Sequence, residues 1–221
     1  MVDRLRETVE DIKPRLRGWL HAGTLPLSLA GGIVLVVLSP NGDARIGAVV
    51  FMVASTLLFG TSALYHTRAW SDRTREVLKR LDHSTIFLFI AGTYTPFALL
   101  LLANRDAQIL LTIVWGGAVL GVLSRVFWVG APRWVYVPLY VALGWAAMFW
   151  MKQFAASAGT AIITLMVAGG VLYSLGAIVY VLKRPDPMPR WFGFHELFHS
   201  LTIAAFTTHY VGISLATYTL R

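Results

Sequence analysis

Charged residues are sparse along the chain, and between them run seven stretches free of Asp, Glu, Lys and Arg: 18–42, 46–67, 83–104, 107–124, 134–151, 153–182 and 197–220. Each is long enough to cross a bilayer as a helix, which takes about 20 mostly apolar residues. In hydrocarbon the backbone must satisfy its own polar groups, so a helix or a closed barrel is required. Barrel strands are shorter and alternate in polarity, and that alternation is absent. The pattern predicts an all-α integral membrane protein, a bundle of seven transmembrane helices forming a single domain over residues 1–221. Ahead of the first span, Leu5, Val9, Ile12 and Leu16 recur among charges at helical spacing, which predicts a short interfacial helix within the cytoplasmic segment 1–17, interrupted at Pro14. The first stretch is longer than a signal-peptide core and reads as a retained span.

Composition agrees: 57% of residues are hydrophobic and 14% charged, against about a quarter charged in soluble domains. The distribution of charge sets the orientation. Arg4, Arg6, Lys13, Arg15 and Arg17 precede the first span; Arg68, Arg73, Arg75, Lys79 and Arg80 fall between the second and third; Arg125 and Arg133 follow the fourth; Lys183, Arg184 and Arg190 follow the sixth. Only Arg45, Arg105, Lys152 and Arg221 fall on the other side. Basic residues favour the cytoplasmic face, so the N-terminus is expected inside and the C-terminus outside. The net charge of +8 then suits anionic headgroups, and without a soluble basic face a nucleic-acid role is excluded.

Cysteine is absent, so any metal must be held by imidazole or carboxylate. His195 and His199 lie four apart at the start of the last stretch, on one face of a helix. At the end of the second stretch Ser62 and His66 share a face in the same way; an interfacial His66 beside Arg68 is the alternative. Asp82 opens the third stretch, where a carboxylate faces the bundle, pairs with a cation such as Arg80, or caps the helix. With the orientation above, His66, Asp82, His195 and His199 all sit in the cytoplasmic leaflet, each within roughly 13 Å of its nearest basic boundary residue at 1.5 Å per residue. Three imidazoles and one carboxylate at a common depth point to a metal site.

The other polar residues read differently. His21 is expected as an interfacial hydrogen-bonding group outside the site, and His83, about 100° around the helix from Asp82, as lying outside the ligand set. His209, ten residues beyond His199, sits about 15 Å higher and reads as a packed polar group. Pro96 within GTYTP (92–96) should loosen the third helix. The aromatics of the fourth to sixth spans form interface belts on scaffold helices, and KRPDPMPR (183–190) reads as an extended, semi-rigid strap leading into His195. The HELFH segment also matches the H-E-x-x-H helix of zinc proteases, with Glu196 as general base. Intramembrane proteases of that kind take a further carboxylate ligand from later in the chain, and nothing acidic follows Glu196.

Together SALYH (62–66), RLDHSTIFLFIAGTYTPF (80–97) and HELFHSLTIAAFTTHY (195–210) resemble the hemolysin III proteins, the bacterial branch of the progestin and adipoQ receptor family. The resemblance implies residence in the bacterial cytoplasmic membrane and a Zn2+ ion held by His66, His195 and His199, with Asp82 reaching it through a water and Ser62 nearby. It makes Glu196 a bystander, since receptor members often carry Gln there. Kinship with the alkaline ceramidases implies Asp82 and Ser62 as catalytic residues in hydrolysis of a lipid amide or ester, acting in membrane homeostasis, with membrane lipids as partners and a lipid-like substrate. A non-catalytic receptor or structural protein with a zinc clamp, and a pore-forming cytolysin, are the alternatives; the last needs a polar face through both leaflets, which the outer half hardly offers.

Overall fold

The computed structural model describes residues 16–128 and 130–219, and the regular elements among them are helices. They are α1 (Trp19–Leu38), α2 (Asp43–Thr67), α3 (Asp72–Leu101), α4 (Asn104–Phe127), α5 (Arg133–Gly144), a 3-10 segment (Ala146–Trp150), α6 (Met151–Ser157), α7 (Thr160–Leu182) and α8 (Phe194–Tyr218). Six helical stretches are long and apolar enough to cross a membrane: α1 to α4, the run Arg133–Ser157, and α7. The last, α8, is 25 residues long and carries Glu196, three histidines and several hydroxyls. Large apolar side chains such as Leu27, Leu120 and Phe149 point outward, as an acyl-chain solvent requires. This is an integral, multi-pass membrane protein.

Sequential helices pack side by side, and α8 returns to α1, α7 and α3. The most buried helix is α3, which also meets α2, α4, α5 and α6. Without a hydrophobic drive between helices in lipid, close approach of small residues carries the packing. At Gly92 on α3 an added Cβ would lie 2.4 Å from the Ala54 Cβ of α2, so the two helices touch there backbone to backbone. Phe51 and Phe59 of α2 stack on or abut Phe206 of α8 at 5.6 and 5.0 Å between ring centroids. These rings separate α2 from α8, which is not among its close backbone neighbours.

Two boundaries differ from expectation. Helix α3 begins at Asp72, N-capped by the Ser71 hydroxyl, not at residue 83. Its first turns carry Arg73, Arg75 and Glu76 on exposed positions, so charge ends the apolar stretch without ending the helix, and only a short link remains of the expected 68–80 loop. The fifth stretch is broken: α5 stops at Gly144, where Tyr94 donates to the Gly144 carbonyl at 2.6 Å and accepts from the Ala147 amide at 3.0 Å, replacing bonds the helix has lost. The strap 183–190 closes in a tight turn with Met188 bridged to Phe192. The expected interfacial helix of segment 1–17 lies outside the described residues except for Leu16 and Arg17. Leu16 donates its amide to the Trp191 carbonyl at 3.3 Å, which joins the entry of α1 to the entry of α8.

Candidate metal centre

His66 is in the last turn of α2, and His195 and His199 are in the first two turns of α8. Their spacing puts the latter pair on one face, and the packing of α8 against α1, α3 and α7 turns that face inward. Each of the three offers one ligand atom, and these atoms all lie within 4.8 Å of one another. Tetrahedral ligation with bonds of about 2.1 Å separates nitrogens by about 3.4 Å, a gap within the swing of the imidazoles about their own torsions. The donors fit a metal ion on a second count. His195 Nε2 and His199 Nδ1 are buried without a hydrogen-bond partner among the described residues, an arrangement that costs stability unless something coordinates them.

Asp82, from α3, brings Oδ2 to 3.7 Å from His66 Nε2. That is too long for a direct hydrogen bond and puts the carboxylate against the imidazole at ion-pair distance. Ser62, one turn before His66, sets its Oγ 2.8 Å from His21 Nδ1. The hydroxyls of Ser55, Thr56, Thr61 and Thr67 donate to carbonyls of their own helix, and Thr61 also meets Thr85 of α3; Ser62 meets α1 in this way, through His21. The structure therefore brings together all five residues expected at the site. Three helices, α2, α3 and α8, deliver them at one end of the bundle.

His21 corrects the expectation set for it. It is 3% exposed, not interfacial, and its ring stacks on His199 at 3.9 Å between centroids and 9° between planes. Its Nδ1 lies 2.8 Å from Ser62 Oγ. The depth argument that gathered the other histidines applies to it equally, since it lies four residues from Arg17, and would have placed it here. Glu196 is fully buried. One oxygen accepts from Arg17 Nε at 3.0 Å and the other from the Gly193 amide at 2.9 Å, so the carboxylate caps α8 and ties the chain ahead of α1 to it. Gly18 makes this approach possible. Its φ of +83° suits glycine alone, and a Cβ there would lie 2.6 Å from the His66 Cβ.

The remaining histidines lie apart from the three ligand candidates. His83 Nδ1 is 2.8 Å from a guanidinium nitrogen of Arg125, on the side of α3 facing α5. His209 sets Nε2 at 3.1 Å from the Met166 carbonyl, with its ring on Gly169. From the histidine cluster a cavity of about 180 Å³ runs between α3, α5, α7 and α8 as far as His209, walled chiefly by apolar and aromatic side chains such as Ile86, Phe89, Ile90, Val167 and Phe198.

Comparison with known proteins agrees with this picture. Over 167 residues the chain is 34% identical to a Hemolysin-3 homolog of Bacillus subtilis, covering 74% of this chain and 78% of that one. It is 29% identical over 188 residues to Hemolysin-3 of Bacillus cereus, covering 83% and 85%. A more distant similarity, 29% over 192 residues, joins it to an adiponectin receptor protein of Drosophila melanogaster, covering 74% of this chain and 41% of the receptor. The family model described as Haemolysin-III related matches residues 10–210, and the chain therefore belongs to the haemolysin-III related family.

Proposed function

We propose that the chain is a zinc-dependent hydrolase of lipid amide or ester bonds, built as seven spans in a bacterial cytoplasmic membrane with the N-terminus inside, α8 being the seventh. The observation that carries this reading is the position of the cluster: three imidazoles and a carboxylate converge at the head of a long apolar cavity. Zinc suits a neutral three-histidine set and, when bound, polarises a carbonyl and acidifies water. In this reading the apolar walls take up an acyl chain and keep bulk water away. The amide or ester carbonyl then stops at the histidines. Asp82 takes a proton from the attacking water and returns it to the leaving amine or alcohol as the C–N or C–O bond breaks. Ser62 holds the carboxylate in place for both transfers. Membrane lipids are thus both surroundings and substrate, and the cellular role is membrane homeostasis.

One observation favours a second reading, a structural clamp. The ligand candidates come from α2 and α8, which aromatic rings hold apart, so a shared ion would join helices that otherwise touch little. One experiment separates the two. Purified wild type is expected to carry about one zinc per chain and His199→Ala almost none, by elemental analysis; near-zero zinc in both would remove the site. Wild type is then offered a panel of ceramides, N-acyl amines and phospholipids. Fatty acid release that falls at least about 100-fold in Asp82→Asn, with zinc retained, supports the hydrolase. No release by zinc-loaded wild type leaves the clamp.

A further inference from the structure

We propose that Tyr173 and His209 form a hydroxyl-binding subsite at the far end of the cavity, so that the lipid held there carries an alcohol group about 12 to 17 carbons from the carbonyl that meets the histidine cluster. This deepens the proposed function and rests on its reading of the cavity as an acyl-chain site. The starting point is an exception among the hydroxyls that line the cavity. Thr93 and Thr202 donate to carbonyls of their own helices at 2.9 Å. Tyr94 bonds the broken helix, and Ser174 donates to the Gly170 carbonyl and accepts from the Trp145 indole. Tyr173 Oη, in contrast, is buried with no hydrogen-bond partner among the described residues, and so is His209 Nδ1. Buried polar atoms are bonded almost without exception. These two side chains line the same cavity, with 5.6 Å between their ring centroids.

The chemistry of the pair selects the group. His209 Nε2 lies 3.1 Å from the Met166 carbonyl. A carbonyl only accepts, so Nε2 holds the proton and Nδ1 of the neutral ring is an acceptor. The ring is held in that pose by Gly169, where a Cβ would strike Nε2, and by Phe97, edge to face at 5.8 Å and 85°. Tyr173 supplies an O–H. An alcohol group accepts from Tyr173 and donates to His209, which satisfies both atoms at once; a methylene satisfies neither. In an otherwise apolar pocket a few placed polar groups fix orientation, and a site built to bond a hydroxyl discriminates against the analogue lacking it. Height sets where on the chain the hydroxyl falls. His209 is ten residues beyond His199 and fourteen beyond His195, about 15 and 21 Å along α8. An extended alkyl chain, with bonds of about 1.5 Å at tetrahedral angles, covers those lengths in about 12 and 17 carbons.

Binding tests this apart from turnover. Full-length protein in detergent is offered stearamide and its 2-, 12- and 16-hydroxy derivatives, and affinities are read by competition with a fluorescent fatty amide. The expected result is that a hydroxyl at carbon 12, carbon 16 or both tightens binding about 10-fold over stearamide, and that one at carbon 2 does not. Tyr173→Phe removes a single oxygen that no described protein group bonds, so the fold is not at stake; it should abolish the gain and bind stearamide as wild type does. Equal affinity for stearamide and all three derivatives, as when bound water alone serves the pair, would overturn the inference. So would a gain that survives in Tyr173→Phe, or one as large for the 2-hydroxy amide, because the hydroxyl would then be recognised elsewhere. If stearamide and its derivatives all fail to bind, the acyl-chain reading of the cavity fails and the inference with it. A 12- or 16-hydroxy amide that is bound with the Tyr173-dependent gain and never cleaved by wild type upholds the subsite and removes the hydrolase, which distinguishes the two failures.

Discussion

Glu196 stands where a zinc protease would keep its general base, yet both of its oxygens are committed, one to Arg17 and one to the Gly193 amide. The motif H-E-x-x-H is satisfied in sequence and spent on structure. Glu196→Gln keeps an acceptor for the capping amide and loses the ion pair, whereas Glu196→Ala strands a buried amide as well. The Ala variant is therefore expected to lower stability by about 1–3 kcal/mol and the Gln variant by less, read from unfolding in detergent. Zinc content in the Gln variant should stay at the wild-type level; its loss would return Glu196 to the chemistry. The ligand candidates were legible in sequence because depth is a strong constraint in a bilayer: His66, Asp82, His195 and His199 all lie near one boundary. His21 shares that depth, but its own span holds nothing ionisable nearby except Arg17. Its partners, Ser62 and His199, are 41 and more than a hundred positions away, and the packing of both α2 and α8 against α1 brings them to it.

Apolar stretches locate helices well and bound them poorly. Charge marks where hydrocarbon ends, while a helix continues as long as its caps and spacing allow, so α3 runs a further three turns into solvent before Ser71 caps it. The break after Gly144 was equally hidden, because it is held by Tyr94 from another helix and not by a local proline. The entry of α1 makes a sharper case. Gly18 combines a left-handed backbone with a contact that leaves no room for a side chain, whereas Gly23, in the same helix, has open space around it. Gly18→Ala is expected to push α1 away from His66, lowering both thermal stability and metal affinity. Gly23→Ala should be neutral or stabilising, by up to about 1 kcal/mol. Equal behaviour of the two variants, by thermal unfolding and chelator competition, would show that the close approach at Gly18 is not needed.

At the scale of the whole molecule, the uneven distribution of lysine and arginine predicts the orientation of the bundle, and the absence of cysteine makes that prediction directly measurable. Single cysteines at exposed positions Ala69, Asn41 and Ser157 report on the two faces. In intact cells a membrane-impermeant maleimide should label Asn41→Cys and Ser157→Cys and reach Ala69→Cys only after permeabilisation; the opposite pattern would invert the protein. The division of the three histidines between α2 and α8 also bears on how the molecule is made. His66 leaves the ribosome more than a hundred residues ahead of His195, so during synthesis only one of the three candidate ligands is present. The set is complete only when the final helix has been threaded into place. On the zinc reading proposed above, metal loading would mark finished assembly: a chain truncated before α8, or one whose α8 never inserts, would be left with one candidate donor of the three and could be sorted from mature protein by its metal content.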